Sequence, residues 1–466
     1  MHLTTSLLSS IAFLSIAIPS FQTAPNTSDT ARIGSQDPGV VRLRIGGHLE
    51  GRLEPCGCAG GQIGGLSRRV SSQLLDRAAY DLLLEGGNLI HGGTVLDEYK
   101  LLTTTTILGD QRTPYDVVGL GPDDLSLPLD SLLPYLDFGL PFVGCDLVVE
   151  PTEEGLPPFP LRPFVDLEAN DVSLRVTGFV GSTGIESEDA IYRVSLLEPQ
   201  TAWSKAMDGV ADSALRIAFV HNDTLIQEIA ALDPKPHLLI VCTPTHAEPP
   251  AQLEVVDSVT VVQPGTRGRL MVDLHLRIDG DEVSVESYRP FPLDGEQRDE
   301  ATEAAILQHR FDVADDDLLQ EMANARPSPE GIDYVADESI CAACHFQEVQ
   351  IWKNSKHASA WKTLEDAEES EKYGWPVTEY PDCVSCHSVG YGEQSGFVDI
   401  EQTPTLASVR CQSCHGPASE HLAASDKTQG FTRDAKQSCQ TCHDYEQSPD
   451  WDYRKRWPVI EHGPGR

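Results

Sequence analysis

The sequence predicts two domains, an α/β sandwich followed by a mainly helical domain packed around cofactors. Three observations predict this. Short β-branched runs alternate with helix-compatible stretches over residues 40–290. An Ala/Glu/Asp-rich stretch, Arg298–Ala325, then marks a change of character before Pro327 and Pro329. Beyond it, Cys-x-x-Cys-His occurs four times.

The first runs are Val40–Ile45, Asp81–Leu84, Tyr115–Leu120, Leu140–Val149, Val172–Val180, Leu215–Val220 and His237–Val241. Stretches such as Ser67–Ala79 and Thr224–Leu232 separate them and suit helices. Such alternation buries a sheet on both faces. Val259–Val262, Arg269–Ile278 and Glu282–Tyr288 read as closing antiparallel strands, with a tight turn at Asp279-Gly280. Pro157–Pro163 reads as a rigid loop. The expected organisation is an export signal at 1–24, a spacer at 25–39, the α/β domain at 40–290, a helical connector at 291–335 and the cofactor domain at 336–466.

The four repeats are Cys341–His345, Cys383–His387, Cys411–His415 and Cys439–His443. This is the attachment signature of c-type haem. Cys341 and Cys344, Cys383 and Cys386, Cys411 and Cys414, and Cys439 and Cys442 each offer two thiols to one porphyrin edge. His345, His387, His415 and His443 then become the proximal iron ligands. Structural zinc is the other use of such pairs, but zinc needs no histidine after the second Cys. About 33 residues per haem are too few for an ordinary core, so the macrocycles are expected to serve as the core.

Attachment of this kind takes place outside the bacterial cytoplasm. Residues 7–18 form a signal h-region ended by Pro19, and no later segment reaches the roughly 20 apolar residues of a membrane span. The mature chain is expected to be soluble and periplasmic. Its net charge is −38, of which residues 335–466, with 21 acidic and 12 basic side chains, hold −9; the remaining −29 lies ahead of them. That surface excludes nucleic acid and anionic membrane as partners and suits a basic redox protein.

A sixth iron ligand separates electron relay from substrate chemistry. From Val335 onward only His357, His421 and His462 lie outside the motifs, three histidines for four irons. His309 or Met322 is the candidate for the fourth.

The segment resembles the tetrahaem cytochrome c-554 family. Tyr334-Val335 ahead of Cys341–His345, then Trp352, Ser355, His357-Ala358 and Ala360 match its opening. Gly416-Pro417, Ser419, Glu420 and His421 follow the third motif as in that family, and Ser448-Pro449, Trp457, Ile460 and His462 follow the fourth. The resemblance covers about residues 334–463. It implies His357, His421 and His462 as distal ligands and a five-coordinate haem on His387.

Residues 40–290 resemble, more distantly, the 5′-nucleotidase branch of the calcineurin-like metallophosphoesterases. The corresponding stretches are His48-Leu49-Glu50-Gly51-Arg52, Gly64-Gly65-Leu66-Ser67-Arg68, Leu84-Glu85-Gly86-Gly87-Asn88, Gly121-Pro122-Asp123-Asp124, His221-Asn222, Thr243-Pro244-Thr245-His246, and a late Gln263-Pro264-Gly265 with Gly268. Two-metal hydrolysis needs a bridging carboxylate and a full ligand set. Here Asn88 stands at the bridging position, Pro122 at the amide ligand, Asp123 at the catalytic histidine and Pro244 at a late histidine. The resemblance therefore implies a scaffold without phosphatase chemistry. His48, Glu50, Asn88, His221 and His246 are the candidates for one residual divalent metal.

Four cysteines lie outside the motifs. Cys56 and Cys58 sit in a Gly-rich loop, with Cys145 and Cys242 near strand ends. Two readings stand open, a soft-metal or redox thiol site and periplasmic disulfides with Cys145–Cys242 as one candidate. The function expected is electron transfer by a periplasmic tetrahaem cytochrome. The alternatives are an oxidoreductase acting on a small nitrogen or oxygen species at the open haem, and a metal-dependent nucleotidase.

Overall fold

The computed structural model describes residues 37–55, 61–136, 139–181, 191–280, 282–335, 338–425, 435–444 and 447–463. The expected export signal, most of the spacer, and Cys56 and Cys58 lie outside the described residues.

The strands in chain order are β1 (Val40–Gly46), β2 (Leu82–Glu85), β3 (Val117–Gly119), β4 (Phe142–Val143), β5 (Leu147–Pro151), β6 (Val165–Ala169) and β7 (Val172–Phe179). They continue with β8 (Tyr192–Leu196), β9 (Leu215–Val220), β10 (Leu238–Val241), β11 (Glu254–Val256), β12 (Val259–Val262), β13 (Leu270–Asp279) and β14 (Glu282–Pro292). One six-stranded sheet runs β14-β13-β1-β2-β3-β4, the other β11-β12-β10-β9-β7-β6, and β5 pairs with β8 as a separate ribbon.

Side-chain alternation along the strands builds the sandwich. Val41, Leu43, Ile45, Leu82 and Leu84 of the first sheet meet Leu174, Val176, Ile217, Phe219, Leu238 and Ile240 of the second. The opposite faces are covered by helices: α1 (Leu66–Leu75) and α2 (Val95–Leu108) on the first sheet, α4 (Pro199–Ala206) and α5 (Ile226–Ala230) on the second, with α3 (Leu129–Leu136) beside α2. Central parallel strands buried on both faces explain why β9 and β10 are apolar almost throughout. Emptying one large site, as in Phe219→Ala, would cost about 3–5 kcal/mol.

The expected single strand Leu140–Val149 is two strands. Gly144 and Cys145 leave the ladder to donate to Arg162 O and Gly178 O, and the Asp146 carboxylate accepts from the Val180 and Gly181 amides. Helix α2 has no counterpart in the sequence pattern, because Thr103–Thr106 is β-branched and a poor helix former. A Thr94/Asp97 capping box starts it and burial along one side holds it.

The stretch Arg298–Ala325 forms α6 (Glu300–Asp315) and α7 (Leu318–Met322), broken where Asp317 adopts φ 55°. α6 packs along α2, and its Ile306 joins the front-domain core. Eight short helices follow among the described residues: α8 (Glu338–Ala342), α9 (Phe346–Lys353), α10 (Ala360–Glu369), α11 (Pro381–His387), α12 (Cys411–His415), α13 (Ser419–Ala423), α14 (Ala435–Gln440) and α15 (Tyr453–Arg456). A modest side-chain core does form here, correcting the expectation of none: Trp361, Leu364, Val384, Val389, Phe397 and Leu406 pack around the second motif. Among the described residues no helix is long and apolar enough to cross a membrane.

Candidate haem centres and the interdomain cleft

Each motif lies at or inside a short helix, so two thiols and a histidine project from one or two turns. The second motif ends α11, whose first position is Pro381. The third is α12 itself, closed by Gly416 at φ 84°. Gln412 within it bonds both the amide and the carbonyl of Val335, tying the third motif to the segment entering the first.

The spare histidines face motif histidines. Ring centroids are 6.2 Å apart for His345 and His421, 5.8 Å for His415 and His462, and 6.1 Å for His357 and His443. An imidazole nitrogen sits roughly 2 Å from a bound metal, so two trans imidazoles put their centroids about 6 Å apart. The three pairs fit one iron each. Every pair joins two distant segments of chain, so ligation would also staple the domain. Burial lowers the pKa of His357, His415 and His443 and favours the neutral, ligating form.

Hydrogen bonds orient the rings. His443 Nδ1 lies 3.0 Å from Ser448 Oγ, His462 Nδ1 2.7 Å from Ile460 O, and His387 Nδ1 2.6 Å from Ala360 O. The motifs themselves are close-set. Ser438 Oγ donates to Cys414 O at 3.0 Å, and the Cys442 thiol is hydrogen-bonded to Cys386. His345 also lies near enough to His415 to depress it, after burial and His462. The order in space is therefore first, third, fourth, second.

His387 is different. Among the described residues no second histidine ring faces it. His309, the candidate for that role, has both nitrogens engaged, Nε2 with Tyr380 Oη at 3.0 Å and Nδ1 with Thr103 Oγ1 at 3.1 Å, so it is not available as a ligand. Burial, with Lys100 and Arg310 nearby, pushes its pKa down to about 4. Met322 lies at the α7 end, packed against the apolar clusters that also take in Cys383 and Trp375.

A cleft opens beside His387. It holds about 770 Å³ of atom-free space, part of it open to solvent, and Cys383, Cys386, His387, Leu364, Trp375 and Tyr380 line one side. Gly51–Pro55, Lys100, Ile306 and Arg310 line the other. Trp375 Nε1 is buried without a hydrogen-bond acceptor. The thiol pair, the apolar walls and this orphaned donor fit a haem with acceptor oxygens at its edge.

The described candidates for a residual metal each have protein partners. His48 pairs with Glu50 at 2.9 Å, and Glu50 also binds Arg267 at 3.0 Å. Burial opposes ionisation of Glu50, but His48 and Arg267 prevail and hold its pKa at about 2. Asn88 Oδ1 accepts from the Asp123 amide at 3.0 Å. His221 turns Nδ1 to Phe179 O at 2.9 Å and Nε2 to Gly86 O at 2.5 Å. His246 lies apart, 3.3 Å from Asp223. Among the described residues no group of three or more His, Cys, Asp or Glu side chains is set to hold a metal. The fixed cation at the end of β2 is Arg69, paired with Glu85 at 2.7 Å, both wholly buried. Sequence reasoning misses Arg69 because Arg68 fits the family pattern. On the helix the two point different ways, and Arg68 reaches out to Gly295 O, Gln62 O and Gly64 O.

Cys145 and Cys242 are both free and buried, in separate core clusters, so the candidate disulfide does not form. Burial pushes the Cys145 pKa up to about 12 and Cys242 well above its ordinary value, so neither is a ready thiolate.

Fold and site together define an α/β sandwich domain joined to a helical module that carries four Cys-x-x-Cys-His motifs. The family described as cytochrome c554 and c-prime matches residues 340–416, which hold three of the four motifs. Cytochrome c-554 of Nitrosomonas europaea is 31% identical over 136 residues, covering 23% of this chain and 57% of that protein. The chain thus spans little more than half the length of this curated relative. Solved structures similar to the chain include a 5′-nucleotidase precursor from Thermus thermophilus, with TM-score 0.49, 17% identity and coverage of 64% of this chain and 63% of that one. The NAD nucleotidase of Haemophilus influenzae gives TM-score 0.49 at 14% identity, covering 63% and 65%. A calcineurin-like phosphoesterase from Bacillus subtilis gives 0.46 at 16%, covering 59% of this chain and 98% of that one. The sandwich assignment rests on the two six-stranded sheets and their helix layers.

Proposed function

We propose that the chain is a periplasmic tetrahaem cytochrome that relays electrons to and from redox protein partners, with a front domain that has lost hydrolase chemistry. The observation that carries this is the set of three cross-motif histidine pairs at 5.8–6.2 Å. His345, His387, His415 and His443 would serve as proximal ligands, and His421, His462 and His357 would close the first, third and fourth sites. Bound haem would supply a one-electron ferric/ferrous couple, and each facing histidine pair would hold its iron and leave no position for a substrate. The close-set motifs hold neighbouring sites within electron-transfer reach. Loss of hydrolysis is supported by Asn88, Pro122 and Pro244 at ligand positions and by Arg69 over Glu85.

A second reading, an oxidoreductase acting at the second site, is favoured by one observation: the cleft beside His387 with no facing histidine among the described residues. Low-temperature EPR of the oxidised holoprotein, with haem and metal content measured on the same sample, tests both. One high-spin ferric signal among four haems is expected. Four low-spin signals would leave electron relay as the only role, and fewer than four haems would overturn the assignment of the motifs.

A further inference from the structure

Two carboxylates flank the motifs at the seam between the domains. Asp382 immediately precedes Cys383, and Asp444 immediately follows His443. Left unpaired, each would be a negative charge beside a haem. Both are paired with cations supplied by the front domain. Lys100 Nζ, on α2, binds Asp382 Oδ2 at 2.8 Å. Arg267 Nη1, on the loop between β12 and β13, binds Asp444 Oδ2 at 2.7 Å.

Each cation is set in place by the front domain. Lys100 lines the His387 cleft together with Asp382, and its side chain is only 10% exposed. Arg267 takes a left-handed backbone, φ 60°, which is uncommon outside glycine. Its amide donates to His48 O at 2.6 Å and its Nε to Glu50 at 3.0 Å, so the loop fixes the guanidinium at both ends. In the spatial order first, third, fourth, second, both ion pairs fall at one end of the row.

A carboxylate beside an iron centre stabilises the ferric charge and lowers its potential; a cation bound to that carboxylate cancels much of the effect. We propose that the front domain biases the relay electrostatically: Lys100 and Arg267 neutralise Asp382 and Asp444, raise the potentials of the second and fourth haems, and draw electrons toward the end that the front domain covers. This deepens the reading of the four motifs as a haem relay and rests on it. Each step passes one electron from a ferrous iron to a ferric neighbour, and the cations alter only the equilibrium between them. The α/β domain thereby has a role that does not depend on hydrolysis.

The test is a redox titration of full-length holoprotein at fixed pH, with samples frozen at set potentials and read by EPR. The high-spin signal reports the second haem, and the low-spin signal that His357→Ala removes reports the fourth. Asp382 is 46% exposed and Asp444 29%, so solvent screens part of each charge and the shifts stay modest. Lys100→Met should lower the reduction constant of the second haem about fivefold, and Arg267→Gln that of the fourth by about as much. Fivefold is about 40 mV at about 59 mV per tenfold for one electron. Asp382→Asn and Asp444→Asn should raise the same two haems about threefold, because a cation then stands without its carboxylate. Arg267→Gln with Asp444→Asn together should bring the fourth haem back to within about twofold of native. The haems on His345 and His415 should move less than about twofold throughout.

A contact that only holds the domains together behaves otherwise, since losing either partner opens the seam and shifts the potential the same way. Shifts of one sign for cation and carboxylate variants overturn the proposal, as do equal shifts in all four haems or no shift in any. Fewer than four haems, or no high-spin signal in the native protein, would instead overturn the reading beneath it. The asparagine variants are near-isosteric and keep the test decisive if Lys100→Met or Arg267→Gln fails to fold.

Discussion

Arg267 Nη1 lies 2.7 Å from Asp444 Oδ2, and Asp444 directly follows His443. The same guanidinium binds Glu50, which binds His48. Two positions that resemble metal ligands of a hydrolase therefore hold an arginine that reaches across to the fourth haem motif. Arg267 and Asp444 are each about 30% exposed on their side chains, so solvent screens the pair. A double-mutant cycle of Arg267→Ala and Asp444→Ala is expected to give a coupling of roughly 0.5–1 kcal/mol. Thermal melts of the two singles and the double measure it. Additive losses would show that the contact does not join the domains.

The proposed distal role of His421, His462 and His357 makes separate, countable predictions. His421→Ala, His462→Ala and His357→Ala should each convert one low-spin haem to high-spin, adding about one spin-equivalent per molecule beside that expected from the His387 site. Three variants giving the same g-values and the same potential shift would argue against three different irons. His309→Ala should add no high-spin signal, because its nitrogens are tied to Tyr380 and Thr103.

The sandwich was legible because β-branched runs such as Leu215–Val220 and Val259–Val262 coincide with β9 and β12. The spare histidines were legible as a count, since three lie outside the four motifs from Val335 onward. Their pairing was not, because facing His421 to His345 is a long-range packing outcome with no local signature. Nor was the His387 cleft: Arg52, Lys100, Arg310 and Trp375 span more than 300 positions and match no motif. Asp382 and Lys100 look like ordinary surface charges until the domains meet.

His309 predicts an acid-sensitive seam. Its pKa falls from 6.5 to about 4 on folding, chiefly by burial. The unfolded chain therefore binds more protons between those values, so stability present above pH 6.5 is lost as pH falls toward 4. The loss approaches about 1.4 kcal/mol per pH unit, roughly 3 kcal/mol in all. His309→Gln should flatten this part of the profile of denaturation midpoint against pH, at some cost at neutral pH. An unchanged slope would mean that other groups set the acid limit.

Arg69 and Glu85 set the last expectation, for the front domain. Both are wholly buried and paired at 2.7 Å. Glu85→Gln leaves an uncompensated guanidinium in the core and should cost about 3–5 kcal/mol, whereas Arg69→Met with Glu85→Gln together should recover much of it. This follows because pairing two desolvated charges gains little over an apolar replacement, while orphaning one loses the full solvation penalty. If the domain has lost its metal site as proposed, added Mn²⁺ or Zn²⁺ should leave the melting temperature within about 1 °C, because without a site there is no linkage between metal and fold. Nucleotide hydrolysis with either metal should stay at background in the native protein. A metal-dependent rise of several degrees, abolished by His48→Ala or His246→Ala, would show that the domain still gathers a cation despite Arg69.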